Sequence, residues 1–462
     1  MRARTGLQLA ALATVPFIMV LGNSMLIPVL PAMRTALHLG RAQSGLAITA
    51  FSVPAGIAIA LAGYLADRYG RKKVLIPALL TYALGGGIAL LAALVLKERA
   101  FPLVLAGRVV QGIGAAGTAP VAMAMAGDIF QSSERARALG ILEAANGMGK
   151  VLSPILGSAL GLLGWYAVFA GYAALTLPVA GLIWFCTRES LREPQEQPAG
   201  AYLRDVWSLF RRKARSLASG FLAGTVALSV LFGVLFYLSE TLEAKYGLDG
   251  IPKGAVLAVP VLAMSVTSYL TGSRLQQSQR LLKPAVVAGL ALGAAGTLEV
   301  PLLGGARPDR GAGDWVFFAG LVVLGVGTGL VLPALNTLIT SAAKEQERGM
   351  LTAAYSATRF FGVALGPPVY GYLMGAGRAW PFFFSAAALG VAAAASLFFL
   401  SPVQLMGKGG AGGWDPAQSG AEGARTGAAD GSRAGAPGAP AQEERIPVWE
   451  PPPLEDGGTR VR

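Results

Sequence analysis

The 462-residue sequence has one cysteine, Cys186, and one histidine, His38. A single cysteine excludes an intramolecular disulfide and a cysteine-based metal cluster, and a single histidine argues against a zinc or di-iron centre, so no metal is expected. Charge is also scarce: Asp, Glu, Lys and Arg make up 14% of the chain, against roughly a quarter in soluble domains. That is too few charged side chains to clothe an aqueous core. No Gly-x-x-x-x-Gly-Lys-Ser/Thr loop occurs and no polar domain exists to hold one, so neither a nucleotide site nor a cofactor is expected. Apolar residues are what the chain has in abundance. Hydrophobic residues make up 54%, joined by 62 glycines, and the mean hydropathy is +0.55. This balance excludes a soluble enzyme of one or two domains and a disordered chain, and makes lipid the solvent for most of it.

Crossing a bilayer as a helix takes about 20 mostly apolar residues. Twelve stretches qualify: 8–30, 44–66, 74–96, 101–125, 138–161, 164–186, 216–238, 252–272, 284–302, 315–340, 350–374 and 379–400. Membrane strands would alternate over roughly ten residues instead. The fifth and sixth stretches are separated only by the turn Gly161 to Gly164, and Glu299 interrupts the end of the ninth. The first follows a short basic stub and lacks a small-residue cleavage site, so it reads as a retained helix. The net charge is +13, but the basic residues fall mainly in short loops. With a cytoplasmic N-terminus, the inside segments before the tail hold 20 Lys and Arg and the outside loops hold 9. This bias predicts a multi-pass protein of the inner (plasma) membrane with both ends cytoplasmic. High Gly, Ala and Arg usage is compatible with a bacterial genome of high GC content.

The longest loop before the tail, 187–215, carries Arg188, Arg192, Arg204, Arg211, Arg212, Lys213 and Arg215. It divides the chain into a six-span bundle at 1–186 and another at 216–400, with 187–215 as a basic cytoplasmic linker. Residues 401–462 form a Gly/Ala/Pro/Ser-rich tail, which is expected to be disordered and cytoplasmic. Its IPVWEPPPLE stretch is either a short docking motif or plain solvated tail.

Sliding the chain against itself by 213 residues gives an ungapped echo. Ala106, Gly107, Val109, Val110, Gly112, Gly114 and Pro120 meet Ala319, Gly320, Val322, Val323, Gly325, Gly327 and Pro333. The same offset places Glu134-Arg135 on Glu347-Arg348, Gly149 on Gly362 and Pro154 on Pro367. A repeat six spans away keeps its orientation, as in a transporter built of two similar six-helix bundles. Arg108, Glu143, Asn146 and Lys150 are matched by Leu321, Ser356, Arg359 and Val363, which gives the two halves different polar equipment.

The cytoplasmic turn between the second and third spans reads Gly63-Tyr-Leu-Ala-Asp67-Arg68-Tyr-Gly70-Arg71-Lys72-Lys73. Orientation by positive charge explains the basic residues but not Asp67. The whole string resembles the signature loop of the major facilitator superfamily, a fold of twelve helices in two pseudo-symmetric bundles. The resemblance covers about residues 8–400. It implies that Asp67, Arg68 and Arg71, with Gly63 and Gly70, form a cytoplasmic gate that latches through a neighbouring helix end while the outside is open. The second-half echo at Gly272-Ser-Arg274-Leu275 lacks the acid, so the latch should be asymmetric. Asp128 and the Glu134-Arg135 pair are expected to steady helix ends near this gate.

In span 4, Arg108 precedes Gln111, Gly112 and Gly114. An arginine in hydrocarbon should face the bundle interior or snorkel to the surface. The segment is similar to a second family motif, whose arginine is implicated in proton transfer through a nearby acid. In span 5, Glu143, Asn146 and Lys150 are spaced to share a helix face. Gly149, Ser153 and Gly157 form a small-residue stripe for close helix packing, and Pro154 adds a kink. Glu143 and Lys150 read either as a pair that neutralises itself or as a proton-exchanging carboxylate tuned by Lys150 and Arg108. The sequence around Pro154 resembles the span-5 motif of the antiporter branches, with Ser153 and Ser158 replacing two of the usual glycines. Span 11 gives a cleaner echo in Gly362, Gly366, Pro367 and Gly371. This motif favours export, and Asn23 with Ser24, Pro28 and Pro31 is similar to the start of the twelve-helix drug:proton antiporters.

Cavity candidates are Asn23, Asn146, Gln111, Asn336, Tyr355 and Arg359, with helix packing as the other reading of Asn23. Glu240 and Glu243, just after span 7, are expected as solvated carboxylates on the outer rim, with a place at a cavity mouth as the other reading. The leading expectation is a secondary transporter, not an enzyme, exporting a small amphipathic or apolar compound in exchange for protons by alternating access. Proton-coupled uptake of a metabolite, movement of a lipid-like substrate, or a non-transporting receptor or scaffold are the alternatives. The expected partners are the substrate, protons and lipid, with no nucleic acid, and the chain is expected to act as a monomer.

Overall fold

The computed structural model describes residues 3–130, 132–191, 211–275, 279–303, 312–342 and 345–406. Among these the chain is helical, with no strand. The N-terminal part contains α1 (Ala3–Ser24), α2 (Leu30–Ala36), α3 (Arg41–Tyr69), α4 (Arg71–Leu96), α5 (Phe101–Ala116), α6 (Ala119–Ile129), α7 (Ser132–Gly161) and α8 (Ala167–Cys186). The C-terminal part contains α9 (Ala214–Tyr246), α10 (Gly250–Leu275), α11 (Leu282–Leu303), α12 (Ala312–Thr340), α13 (Glu345–Ala376), α14 (Trp380–Phe399) and α15 (Pro402–Met406). Most of the basic linker and all but the first residues of the tail lie outside the described residues.

Among the described residues ten helical segments are long and apolar enough to cross a membrane. Helices α7 and α13 are not among them, although at 30 and 32 residues they are the right length; a helix rises about 1.5 Å per residue. They carry Glu143, Lys150 and Arg359 in mid-helix, so polarity and not length sets them apart. Several helices outrun their apolar stretches by a turn or two. The helix α7, for example, starts at Ser132 and not near residue 138. The first apolar run is not one helix: it breaks after Ser24, passes through a 3-10 turn at Ile27–Val29 and resumes as α2. Pro28 and Pro31 have no N–H to continue the ladder, and their rings clash with the preceding turn.

Burial is inverted relative to a soluble protein. Ile57, Leu91, Val266 and Phe398 are exposed, while Ser44, Ser52, Arg108, Gln111 and Thr176 are fully buried. Apolar side chains thus face lipid and polar ones face other helices. The packing repeats itself. Contacts α3–α5, α4–α5 and α4–α8 recur as α10–α12, α11–α12 and α11–α14, and α1–α7 recurs as α9–α13. Glycines make the last pair possible. A Cβ on Gly149 would stand 2.8 Å from the Phe17 carbonyl oxygen, and one on Gly157 would strike that of Met25. In the second copy, Gly362 and Gly366 lie as tightly against the carbonyls of Thr225 and Ser229.

Candidate functional site

The two parts of the chain meet along two seams, α3 against α13 and α7 against α10. On the first, Gly45 lies against the backbone of Pro367 and Pro368, Gly371 against that of Arg41 and Ala42, and Gly56 against Ala357 and Phe360. The Thr49 hydroxyl donates to the Ala364 carbonyl at 2.6 Å. On the second, Gly254 of α10 touches Pro154, Ile155 and Ser158 of α7. In the topology set by the positive charges, all these contacts lie in the outer and middle thirds of the helices.

The outer end is also tied by charge. Glu240 of α9 is only 4% exposed. Its carboxylate accepts from Arg34 Nε at 3.1 Å and from the terminal guanidinium nitrogen at 3.2 Å, and Arg41 Nε stands 3.6 Å away. Lys253 of α10, 1% exposed, donates to the Pro28 carbonyl and to Glu243, each at 2.7 Å. Ser239 donates to the Ile27 carbonyl at 3.0 Å. Glu240 is therefore a buried clamp and not the solvated rim carboxylate its sequence position suggests; two arginines replace the water it loses. The segments 31–41 and 239–249 carry opposite charges at the outer ends of the two parts, the signal that could have revealed this clamp. At the cytoplasmic end Arg71 pairs with Asp128 within the N-terminal part, and Lys213 donates to the Ala342 and Leu405 carbonyls within the C-terminal part. The outer side is closed by these ties, and near the cytoplasmic end of α3 a Cβ on Gly63 would meet nothing within 4 Å, the spacing of an inward-facing arrangement.

Between the seams lies the face that carries Glu143, Asn146 and Lys150. Gly149, Ser153 and Gly157 mark the side of α7 turned to α1, Pro154 and Ser158 the side turned to α10. Exposed Ile141, Met148 and Leu152 mark the lipid side. At 100° per residue, Glu143 and Lys150 fall between the first two sides, opposite the lipid. They point into the space between the two parts, where Glu143 is exposed and Lys150 half-buried. No ion pair joins them; they stand seven residues apart, about 10 Å along the helix. Lys150 lies within electrostatic reach of Arg359 of α13 as well as of Glu143. Arg359 is half-buried, its guanidinium carbon 5.7 Å from the centroid of the buried Tyr355 ring, which stacks on Phe221. The Asn146 Oδ1, Arg359 Nε, Ser153 Oγ and Tyr355 hydroxyl are buried with no hydrogen-bond partner. Asn336 stands apart from this group, exposed near the end of α12.

Arg108 lies elsewhere, wholly inside the N-terminal part. Its Nε donates to the Ala47 carbonyl at 3.0 Å, and its terminal nitrogens to Gln111 Oε1 at 2.6 Å and Asn23 Oδ1 at 3.0 Å. Asn23 in turn donates to Ser52 at 2.9 Å. The guanidinium lies over Phe51, 4.5 Å from the ring centroid, with Tyr172 at 5.7 Å. Its hydrogen bonds go to neutral oxygens, and neither Glu143 nor Lys150 is among its partners. Gly112 allows this, because α5 lies so close to α3 that a Cβ there would strike the Phe51 carbonyl.

At the cytoplasmic turn Arg71 bridges Asp67 and, at 3.1 Å, Asp128 at the end of α6. Arg68 takes no part and donates to Tyr64 at 2.7 Å. The sequence alone did not point to Glu189, whose carboxylate accepts from the backbone N–H groups of Arg71 at 2.8 Å and Lys72 at 3.1 Å. It caps the N-terminus of α4, whose free N–H groups carry partial positive charge. Gly70, at φ 121°, leaves room for it. A Cβ on Gly63 would meet nothing within 4 Å.

The Major Facilitator Superfamily model matches residues 12–306 and 245–441. The bacillibactin exporter of Bacillus subtilis (strain 168) is 40% identical over 79% of this chain and 89% of its own length. The class C tetracycline resistance protein of Escherichia coli is 28% identical over 75% of this chain and 84% of its own. Among solved structures, a D-xylose–proton symporter superposes with a TM-score of 0.71 at 14% identity, over 87% of this chain and 99% of that one. An inward-facing bacterial homologue of the lysosomal transporter Spinster gives 0.68 at 19%, over 90% and 100%. The chain belongs to the major facilitator superfamily: it is a multi-pass inner-membrane transporter of the bacterial drug-antiporter branch, not an enzyme, and moves a small molecule by secondary active, proton-coupled exchange.

Proposed function

We propose that this transporter exports a small amphipathic compound of the bacillibactin kind, binding it between two six-helix bundles at 1–186 and 216–400. In this reading 187–215 links the two bundles and 401–462 follows the second as a tail. Counting α7 and α13 as spans raises the ten apolar segments to twelve; their length and their places on the two seams support this. A single chain then holds both faces of the pathway and works as a monomer.

Glu143 is the proton carrier, and the observation behind this is its place: exposed in the inward-facing opening, on the face it shares with Lys150, with no ion pair to fix its charge. A carboxylate closed into a pair has its charge fixed by the partner; one open to the pathway can pass a proton to whichever side has access. Asp67, Arg71 and Asp128 serve as the cytoplasmic gate, with Gly63 giving α13 room to approach α3 on closing. Arg108, held by Asn23 and Gln111, fixes the relative positions of α1, α3 and α5 and so acts on Glu143 only through the packing.

Inside-out vesicles with an acidic lumen test the reading. Adding bacillibactin should collapse the gradient in the wild type and leave it standing in Glu143→Gln. Undiminished exchange in that variant would remove Glu143 from the mechanism.

A further inference from the structure

Apart from the outer clamp, four charged side chains of the described residues lie along the membrane helices away from their ends: Arg108, Glu143, Lys150 and Arg359. Arg108 is fully occupied by protein oxygens and ring faces. The other three face the opening, and two of them are cations from opposite parts of the chain. Among the described residues neither Lys150 nor Arg359 has a hydrogen bond or ion pair. Arg359 keeps a buried Nε without an acceptor, and its planar face is backed by Tyr355 and Phe221. Cations in a membrane interior are expensive when unpaired and ordinarily find an acid or a carbonyl. Here the acid within reach, Glu143, can offset only one of the two. The site is thus short of one negative charge, and the half-buried Phe221 ring, stacked on the buried Tyr355, is the apolar surface on the side of the surplus cation.

We infer that Lys150 and Arg359 together bind an organic anion, each bundle supplying one cation, so that the exported compound is an acid carrying aromatic or other flat apolar surface. The inference deepens the exporter reading above and rests on it. Lysine meets the charge as a point donor, and arginine as a planar fork able to hold two oxygens.

This arrangement accounts for exchange. With the site empty, repulsion between Lys150 and Arg359 holds the cytoplasmic ends apart, which is the inward-facing state seen. An anion between them cancels the repulsion and draws the bundles together on that side, favouring the outward-facing state. A proton on Glu143 does the reverse: it removes the compensating charge and drives the inner side open again. Two ligands that bias one equilibrium in opposite directions, each by its differential affinity, give counter-transport. Export of an anion also runs down a membrane potential that is negative inside.

The test is equilibrium binding to the whole protein in nanodiscs of zwitterionic lipid, without any gradient. The probes are two charge-matched pairs: 2-naphthoate with 2-naphthylmethylammonium, and fluorescein with rhodamine 6G. The anion of each pair should bind more tightly. Lys150→Gln and Arg359→Gln should each weaken anion binding about tenfold, the loss of one charged hydrogen bond, and Lys150→Arg should restore most of it. That rescue separates a binding role from a folding one. Tighter binding of both cations, anion binding indifferent to both glutamine variants, or displacement of the anions by added phosphatidylglycerol would each overturn the assignment, the last in favour of a lipid headgroup. Since no gradient is present, a site that fails here can still belong to a proton exchanger that passes the vesicle test, and the reverse also holds.

Discussion

Arg108 is a full positive charge buried against neutral oxygens: one carbonyl and two side-chain amides. Only a guanidinium spans that fork, so Arg108→Lys keeps the charge and loses the geometry. At least one acceptor is left bare, which costs about 1–3 kcal/mol; thermal unfolding in detergent should show the loss. Gly70 makes a second single-residue requirement. At φ 121° an L side chain is strained, and its Cβ would press on the Glu189 carboxylate. Gly70→Ala should therefore cost about 1–3 kcal/mol, whereas Glu189→Gln, which keeps an oxygen for the cap, should cost about 1 kcal/mol or less. The two melting temperatures, measured side by side, check the order. Of these residues Arg108 and Gly70 stood out in their motifs, Arg108 for proton coupling and Gly70 for the gate, and not for the fork and the cap described here. Glu189 did not, because a carboxylate 118 residues from the N–H it caps leaves no local pattern.

At the level of the helix, spacing told more than hydropathy. The stripe of Gly149, Ser153 and Gly157 lies against α1 and the repeat in Gly362 and Gly366 against α9, and the 213-residue echo reappears as a recurring set of helix contacts. Hydropathy placed the apolar cores of the helices but not their ends. Helix ends are set by caps and by proline, and polar turns extend a helix into the interface without adding apolar signal. Two glycines of the motifs should respond oppositely to the same change. Gly157→Ala forces α7 away from the Met25 carbonyl and should destabilise the protein by about 1–3 kcal/mol. Gly63→Ala meets open space in this state and, inside a helix, should stabilise the protein by about 0.5–1 kcal/mol. Any loss of transport in Gly63→Ala then reports crowding in the outward-facing state alone. Half-lives in detergent, set beside initial transport rates, separate the two effects.

For the molecule as a whole, the outer closure decides which side is open. Glu240 joins two arginines from 34 and 41, partners about 200 positions away in the chain. Sequence position alone marked Glu240 as rim, since which charges meet depends on the bundle packing and on the state. Glu240→Gln keeps the size and removes the charge, leaving Arg34 poorly paired. The variant should shift the population toward the outward-facing form. With Cys186, the only cysteine, changed to serine, a Thr49→Cys reporter on the outer seam should label faster with an impermeant maleimide when Glu240→Gln is present. An unchanged labelling rate would mean that the apolar seams alone hold the outside shut. The other ties of this closure differ in kind. Lys253 and Ser239 grasp the carbonyls of Pro28 and Ile27, main-chain oxygens of the 3-10 turn between α1 and α2, the Ile27 oxygen also accepting from the Leu30 N–H. A main-chain oxygen is present whatever residue occupies the position. Over evolutionary time, then, this half of the outer lock can drift in sequence on its accepting side without loosening, so long as the break itself is inherited, and selection acts on the two donors alone.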